Sequence, residues 1–395
     1  MRVLYIDHTL HKSGAAISLG SLVRALGNRV EPHFILRSNS EVEETLGAIG
    51  RPKHFERWMP QFMTTLRTPQ YSLPLFLWHL AKIPVAFVTT LVLVRKWKIQ
   101  IVHLNETALL PYVFIGTFLG IRVVMHARGA TAQRKIEQYF LNLAGRLRGV
   151  SVIAIDEETK RSLPAACQEI TAVVPNPVDF KMNVDPACVR RLRNSWGCTD
   201  DDVLVGQVAS LHTSKGIWDI LEMARILCPS LPHARFILIG DDRPNVGEGP
   251  ELRKAVRDSG LEGRVILTGY LDDVEVAYGA LDVVLCMFSK WLGGVGRAAY
   301  EAALAAKPLI ATLPTPEVSS TMKDGITGLV FRPDDEDAIL KALRTLIESP
   351  AKRSELGRSA RQEIGQRHSP SRIAAQVESL YSSLIDDRPT GGHVR

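Results

Sequence analysis

Short apolar runs alternate with helix-like patterns along almost the whole chain. Residues 3–6, 30–36, 101–104, 123–126, 151–155 and 171–174 read as strands in the first half. Residues 203–208, 235–239, 265–268, 283–287, 308–312 and 328–331 read so in the second. Segments of helical period lie between most of them, among them 18–26, 217–227, 250–259, 297–306 and 335–346. Strands apolar throughout and separated by helices indicate parallel sheets covered on both faces. The series occurs twice, and the turn Asn176-Pro177-Val178-Asp179 separates the two. The expected class is therefore α/β, with two Rossmann-like domains at 1–180 and 181–370 whose parallel sheets face across a cleft. A last helix at 371–385 is expected to return toward the first domain, and 386–395 reads as a frayed polar tail. Ligands of such sheets bind outside the carboxyl ends of the strands, so the loops to inspect are those that follow strands.

Residues 71–95, YSLPLFLWHLAKIPVAFVTTLVLVR, break the alternation. Pro74, Lys82 and Pro84 interrupt them, and the clean apolar part, 83–94, is shorter than the ~20 residues of a spanning helix. Two readings stand. One is a helix buried against a sheet. The other is an interfacial patch, with Arg67, Lys82, Arg95, Lys96 and Lys98 facing anionic lipid.

Composition narrows the class. With 395 residues, 46% hydrophobic and 23% charged, the chain suits two globular domains. The net charge of +6 fits a phosphate-rich partner: a nucleotide, an anionic membrane or a nucleic acid. No Lys/Arg block or RNP-like aromatic motif is present, so nucleic acid is not expected. The five cysteines form no Cys-x-x-Cys pair, and residues 1–7 have no signal-peptide layout. Reduced thiols and a cytoplasmic location are expected, with peripheral contact at the inner face of the membrane under the interfacial reading.

The strongest local signal for chemistry is SKWLGGVGRAAYEAALAAKPLIAT, residues 289–312. A strand runs into the turn Gly293-Gly294-Val295-Gly296, and a helix opens near Arg297. Glycines let backbone approach a ligand, and the N–H groups of a helix start favour an anion. A cation in the first turn, Arg297, needs an anionic partner, which points to phosphate. Glu301, one turn on and followed by alanines, is a carboxylate in need of donors, and two ribose hydroxyls would serve. Lys215-Gly216 ends the loop that begins at Ser210, where a lysine can set a point charge on a diphosphate. His126 ends a strand and can reach a sugar hydroxyl or serve structure alone. His103 has the same ambiguity. Gly14 lies in the first strand-to-helix loop and can border phosphate. Asp200–Asp202, Asp241-Asp242, Asp272-Asp273 and Asp334-Asp335 fall in separate loops and read as turns and caps rather than metal ligands.

These residues, in this order, resemble glycosyltransferase family 4, whose fold is the two-Rossmann GT-B arrangement. The likeness is good over about 200–345. Its elements include Lys215-Gly216, Phe236-Ile237-Leu238-Ile239-Gly240, Glu301-Ala302, Lys307-Pro308 and Asp324-Gly325-Ile326-Thr327-Gly328. The resemblance implies transfer of a sugar from a nucleoside diphosphate donor to the hydroxyl of a glycan or lipid-linked acceptor. It implies retention at the anomeric carbon, no cofactor and no required metal. It places Lys215 on the diphosphate, Glu301 on the ribose, His126 beside the sugar and the Gly14 loop near the phosphates. Two positions depart from the family pattern: Gly293 stands where a second Glu is usual, and Ser210 where an Arg is usual. Arg297 is the candidate for the missing cation, and the Gly293-Gly294 backbone for the missing sugar contact.

Two other readings remain. Gly294-x-Gly296-x-x-Ala299 loosely fits a dinucleotide fingerprint, with Glu317 near the place of a ribose acid. A binding protein of this fold without transferase activity is the other.

Overall fold

The computed structural model describes residues 1–10, 13–40, 42, 46, 53–62, 73–131, 135–240, 247–288, 295–314, 319 and 322–386. The chain divides into two units, Met1–Val178 with His368–Arg395, and Asp179–Arg367.

The first unit contains β1 (Arg2–Asp7), α1 (Gly14–Ala25), β2 (Glu31–Arg37), β3 (Lys53–Glu56), α2 (Leu73–Ala81), α3 (Ile83–Trp97), β4 (Ile101–Leu104), α4 (Pro111–Phe118) and β5 (Arg122–Ala127). It continues with α5 (Lys135–Gly145), β6 (Val150–Ala154), α6 (Glu157–Ser162), α7 (Ala165–Glu169) and β7 (Thr171–Val173). Its sheet runs β3-β2-β1-β4-β5-β6-β7, and the paired strands are parallel. β1 and β4 lie in the middle, buried on both faces, which is why they read as unbroken apolar runs.

The second unit contains α8 (Pro186–Ser195), β8 (Val203–Val208), α9 (Ile217–Leu227), β9 (Ala234–Ile239), α10 (Gly249–Asp258), β10 (Val265–Gly269), α11 (Val274–Ala280) and β11 (Val283–Cys286). Then follow α12 (Gly296–Leu304), β12 (Leu309–Thr312), β13 (Leu329–Phe331), α13 (Glu336–Glu348) and α14 (Pro350–Arg367). Its parallel sheet runs β10-β9-β8-β11-β12-β13.

The last helix, α15 (Pro370–Asp386), belongs to the first unit. Ile373, Val377 and Tyr381 are fully or almost fully buried among Tyr5, Leu19 and Leu22, so the helix completes the core over α1 and β1. The two chain crossings are tied side by side: Val178 N–H donates to His368 O at 3.1 Å, and His368 Nδ1 lies 2.9 Å from Asn176 O.

Each sheet reverses its strand order at one place. In the first unit the reversal falls at β1 and β4; in the second it falls at β8 and β11. The carboxyl ends of those strands flank the natural ligand crevice of each sheet.

Candidate functional site

In the second unit, β8 leads into Ser210, a 3-10 turn at Thr213–Lys215, and α9. Gly216 makes the junction in the left-handed region, at φ 62, and a Cβ there would stand 2.6 Å from Met287 Cβ. Only glycine lets the Lys215 loop lie this close to the end of β11. Gln207 locks the arrangement. Its Oε1 accepts from Met287 N at 2.8 Å, and its Nε2 donates to Lys215 O at 2.7 Å. Glu248 braces the outer side, accepting from Thr213 N and Trp218 Nε1, each at 2.7 Å. Lys215 Nζ stands 4.6 Å from the centre of the Phe288 ring. Ser210 is exposed at the head of the loop.

Met287 and Phe288 follow β11 at the same end of the sheet, and residues 289–294, Gly293 and Gly294 among them, lie outside the described residues, as does Glu317. Val295 is buried and precedes α12 with no side-chain cap, and Gly296 opens the helix at φ 72. Val295, being apolar, offers the first N–H groups of α12 no side-chain acceptor of its own.

Arg297 differs from its expected role as a phosphate cation. Its Nε donates to Glu301 Oε1 at 2.5 Å, and both side chains are close to buried, at 13% and 14% exposure. The anionic partner that a first-turn arginine needs is thus one turn along its own helix. Tyr278 OH lies 3.4 Å from Glu301 Oε2 and 3.0 Å from Ala298 O. Burial pushes the Glu301 carboxyl above its ordinary range, and the Arg297 guanidinium opposes that push. A carboxylate has about four lone-pair positions, so Glu301 keeps acceptor capacity beyond these two partners. The buried Cys286 thiol, at the end of β11, is pushed up to about 12 by burial. Lys215 and Glu301 act on it in opposite senses, which sets both within electrostatic reach of one strand end.

The first unit carries a second set of residues at its own switch point. Asp7 ends β1, and Asn105 follows β4. Asn105 Nδ2 donates to Asp7 Oδ2. Arg128, after β5, donates to Asn105 Oδ1 through Nη2 at 2.7 Å and to Asn176 Oδ1 through Nη1. Burial lowers the Arg128 guanidinium to about 10, with Glu106 and Asp7 opposing, so it stays charged at neutral pH. Gly14 is exposed at the first turn of α1, where Ser13 caps Ala16 N at 3.2 Å.

His126 is not an open ring at a strand end. It is 1% exposed, and its Nδ1 lies 3.2 Å from His103 Nε2. His103 Nδ1 in turn lies 2.6 Å from Tyr381 OH, which donates to Tyr5 OH at 3.3 Å. Burial drives the His126 pKa well below 6.5 and that of His103 to about 3, with Arg128 adding to both. Both rings are neutral, and His126 Nε2 is buried with no hydrogen-bond partner among the described residues.

Residues 189–363 match the model of the family described as glycosyl transferases group 1. The match covers 175 of the 395 residues, all of them within the second unit. Curated relatives of the family type include 2-deoxystreptamine glucosyltransferase of Streptomyces kanamyceticus, 26% identical over 61% of this chain and 57% of that protein. Another is alpha-monoglucosyldiacylglycerol synthase of Acholeplasma laidlawii, 26% identical over 52% of this chain and 50% of that protein. The matched stretches thus span little more than half the length of these relatives. The crystal structure of Anabaena Alr3699/HepE in complex with UDP superposes with a TM-score of 0.77 at 22% identity, covering 97% of this chain and 100% of that one. The same protein in complex with UDP-glucose gives 0.75. The chain therefore has the two-domain GT-B fold, one parallel sheet to each domain.

The sequence did not announce the Asp7–Asn105–Arg128 chain. The signal was position alone: each ends or follows a strand, and only the strand order brings them together. The acidic pairs mostly serve local structure. Asp202 Oδ2 accepts from Thr199 N at 2.8 Å, and Asp273 Oδ1 caps α11 through Val276 N at 3.1 Å. Asp241-Asp242 lie outside the described residues.

Proposed function

We propose that the chain transfers a sugar from a nucleoside diphosphate donor to an acceptor hydroxyl, with retention at the anomeric carbon and no metal requirement. The observation that carries this is that Lys215 and Glu301 both act on Cys286 at the end of β11, beside the start of α12 whose N-cap Val295 supplies no side-chain acceptor. A lysine charge and the N–H groups of a helix start suit a diphosphate. A carboxyl paired with a guanidinium one turn deeper suits two ribose hydroxyls. The UDP and UDP-glucose complexes of the Anabaena protein favour a uridine donor. In the first unit, His126 Nε2, unpartnered among the described residues, is the atom suited to a sugar hydroxyl, and the Gly14 end of α1 is suited to phosphate. The acceptor is a glycan or a lipid-linked glycan in surface-polysaccharide or glycolipid synthesis; the Acholeplasma relative, named as a glycolipid synthase, supports the lipid form. A cytoplasmic location accords with five free cysteines, four of them buried.

Burial, with Arg128 and His103 adding to it, makes His126 a weak base. The leaving phosphate takes the acceptor proton, and the protein supplies charge stabilisation and orientation. Gly293, where a carboxylate is usual, favours a second reading: donor binding without transfer. Incubation with UDP- and GDP-sugars and acceptor mixtures, with products followed by NMR, separates the two. Transfer with the donor's anomeric configuration is expected. An inverted product would contradict retention, and binding without any release of nucleoside diphosphate would establish the second reading.

A further inference from the structure

Residues 57–105 hold six cations, Arg57, Arg67, Lys82, Arg95, Lys96 and Lys98, and no aspartate or glutamate. Within this stretch α2 and α3 form Pro74–Trp97, 24 residues of which 28% of the most apolar window is buried. The length exceeds the apolar run visible in the sequence, because the helical pattern resumes directly after Lys82 and Pro84 are accommodated at the start of α3. One side of α3 is core: Ala86, Leu93 and Val94 pack with Val113 of α4 and Val102 of β4. A helix with one face in a domain core cannot leave to span a bilayer.

The other side is uncovered. Val85, Val88 and Val92 recur at i, i+3 and i+7 and are 43%, 57% and 54% exposed. On α2, Leu77 and Trp78 are 53% and 49% exposed, and Phe118, at the end of α4, is 79% exposed with its ring centre 5.6 Å from that of Phe87. Trp58 and Trp78 pair at 5.2 Å, and Lys82 Nζ lies 5.5 Å from the Trp78 ring. Exposed valines and an aromatic cluster of this extent mark a surface that is covered in use.

The charge pattern names the cover. Arg95, Lys96 and Lys98 are exposed at the carboxyl end of α3, Lys82 sits at its start, and no carboxylate interrupts. Tryptophans beside an apolar stripe with cations at its edges are the chemistry of a membrane–water boundary. We infer that α2, α3 and the end of α4 form a docking face for an anionic lipid bilayer, entering it to the depth of the headgroups, about 5–10 Å. This does not rest on sugar transfer.

The test is co-sedimentation of the full chain with vesicles of phosphatidylcholine alone or of equal parts phosphatidylcholine and phosphatidylglycerol. Binding to the anionic vesicles only, weakening as salt rises, is expected. Val88→Ser/Val92→Ser should lower partitioning on the order of tenfold. Arg95→Gln/Lys96→Gln/Lys98→Gln should lower it at least as much and remove the preference for phosphatidylglycerol. The cation variant touches no core position and keeps the test valid should the serine variant unfold. Wild-type protein left in the supernatant with anionic vesicles would overturn the inference. So would a wild-type dimer in light scattering that the serine variant converts to monomer without any vesicle binding, which would assign the face to a second copy.

Discussion

Glu301 and Arg297 show how a buried charge is kept useful. Burial alone would favour the protonated acid, which is a poorer acceptor for hydroxyls. Arg297 at 2.5 Å opposes that push, and the carboxyl keeps lone pairs beyond those it gives to Arg297 and Tyr278. Glu301→Ala is expected to leave the fold intact and to weaken uridine or guanosine nucleotides by about 1.5–3 kcal/mol in a calorimetric titration. Unchanged affinity would remove the ribose role. Lys215→Ala should weaken a nucleoside diphosphate more than the monophosphate, because the point charge reaches the outer phosphate. Equal losses would place the lysine elsewhere. The sequence showed Arg297 and Glu301 four residues apart, yet it pointed the arginine at phosphate. The pairing became clear only once both side chains were seen on one partly buried helix face.

At the scale of elements, α12 ends in a Schellman cap without its usual glycine. Lys307 N donates to Ala302 O and Ala306 N to Ala303 O, both at 2.9 Å, while Ala306 sits at φ 55. An alanine there carries a steric cost of about 1–2 kcal/mol, part of which glycine's greater freedom in the unfolded chain offsets. Ala306→Gly is expected to raise stability by about 0.5–1 kcal/mol, read from the urea midpoint; a loss would mean the cap is held by other contacts. Most strands were legible because parallel strands buried on both faces leave unbroken apolar runs. β3 was not: Lys53-His54-Phe55-Glu56 is an edge strand that pairs on one side only with β2, so nothing forces it to be apolar. The helices over 73–97 were legible as apolar, but which side would face outward depends on α4 and the sheet behind them.

Across the whole molecule, polar groups are concentrated at the strand ends of each unit. The Asp7–Asn105–Arg128 chain joins residues far apart in sequence, so no local pattern announces it. The His103–His126–Tyr381 network ties the last helix to the first unit's sheet and has a consequence for pH. Both histidine pKa values are depressed in the folded state, His103 to about 3, and His79 is lowered to about 4. The unfolded chain therefore binds protons that the folded chain refuses. This stability is fully present above the unfolded value and is lost as pH falls through about 6.5 toward 4, at about 1.4 kcal/mol per pH unit for each histidine. Asp156, raised by burial to about 6, works in the opposite direction over part of that range. Urea unfolding should show a net decline toward acid, flattened in His103→Asn. A stability that stays level between neutral pH and about pH 5 would contradict the buried neutral pair.

The central claim is that the end of the second sheet holds the nucleoside diphosphate of a sugar donor. Thermal denaturation of the purified chain against UDP, GDP, their sugars and NAD(H) tests it most directly. The account predicts that at least one nucleoside diphosphate or its sugar raises the midpoint saturably, that Lys215→Ala and Glu301→Ala each diminish the rise, and that NAD(H) gives none. Stabilisation by NAD(H) with no response to any nucleoside diphosphate would contradict it.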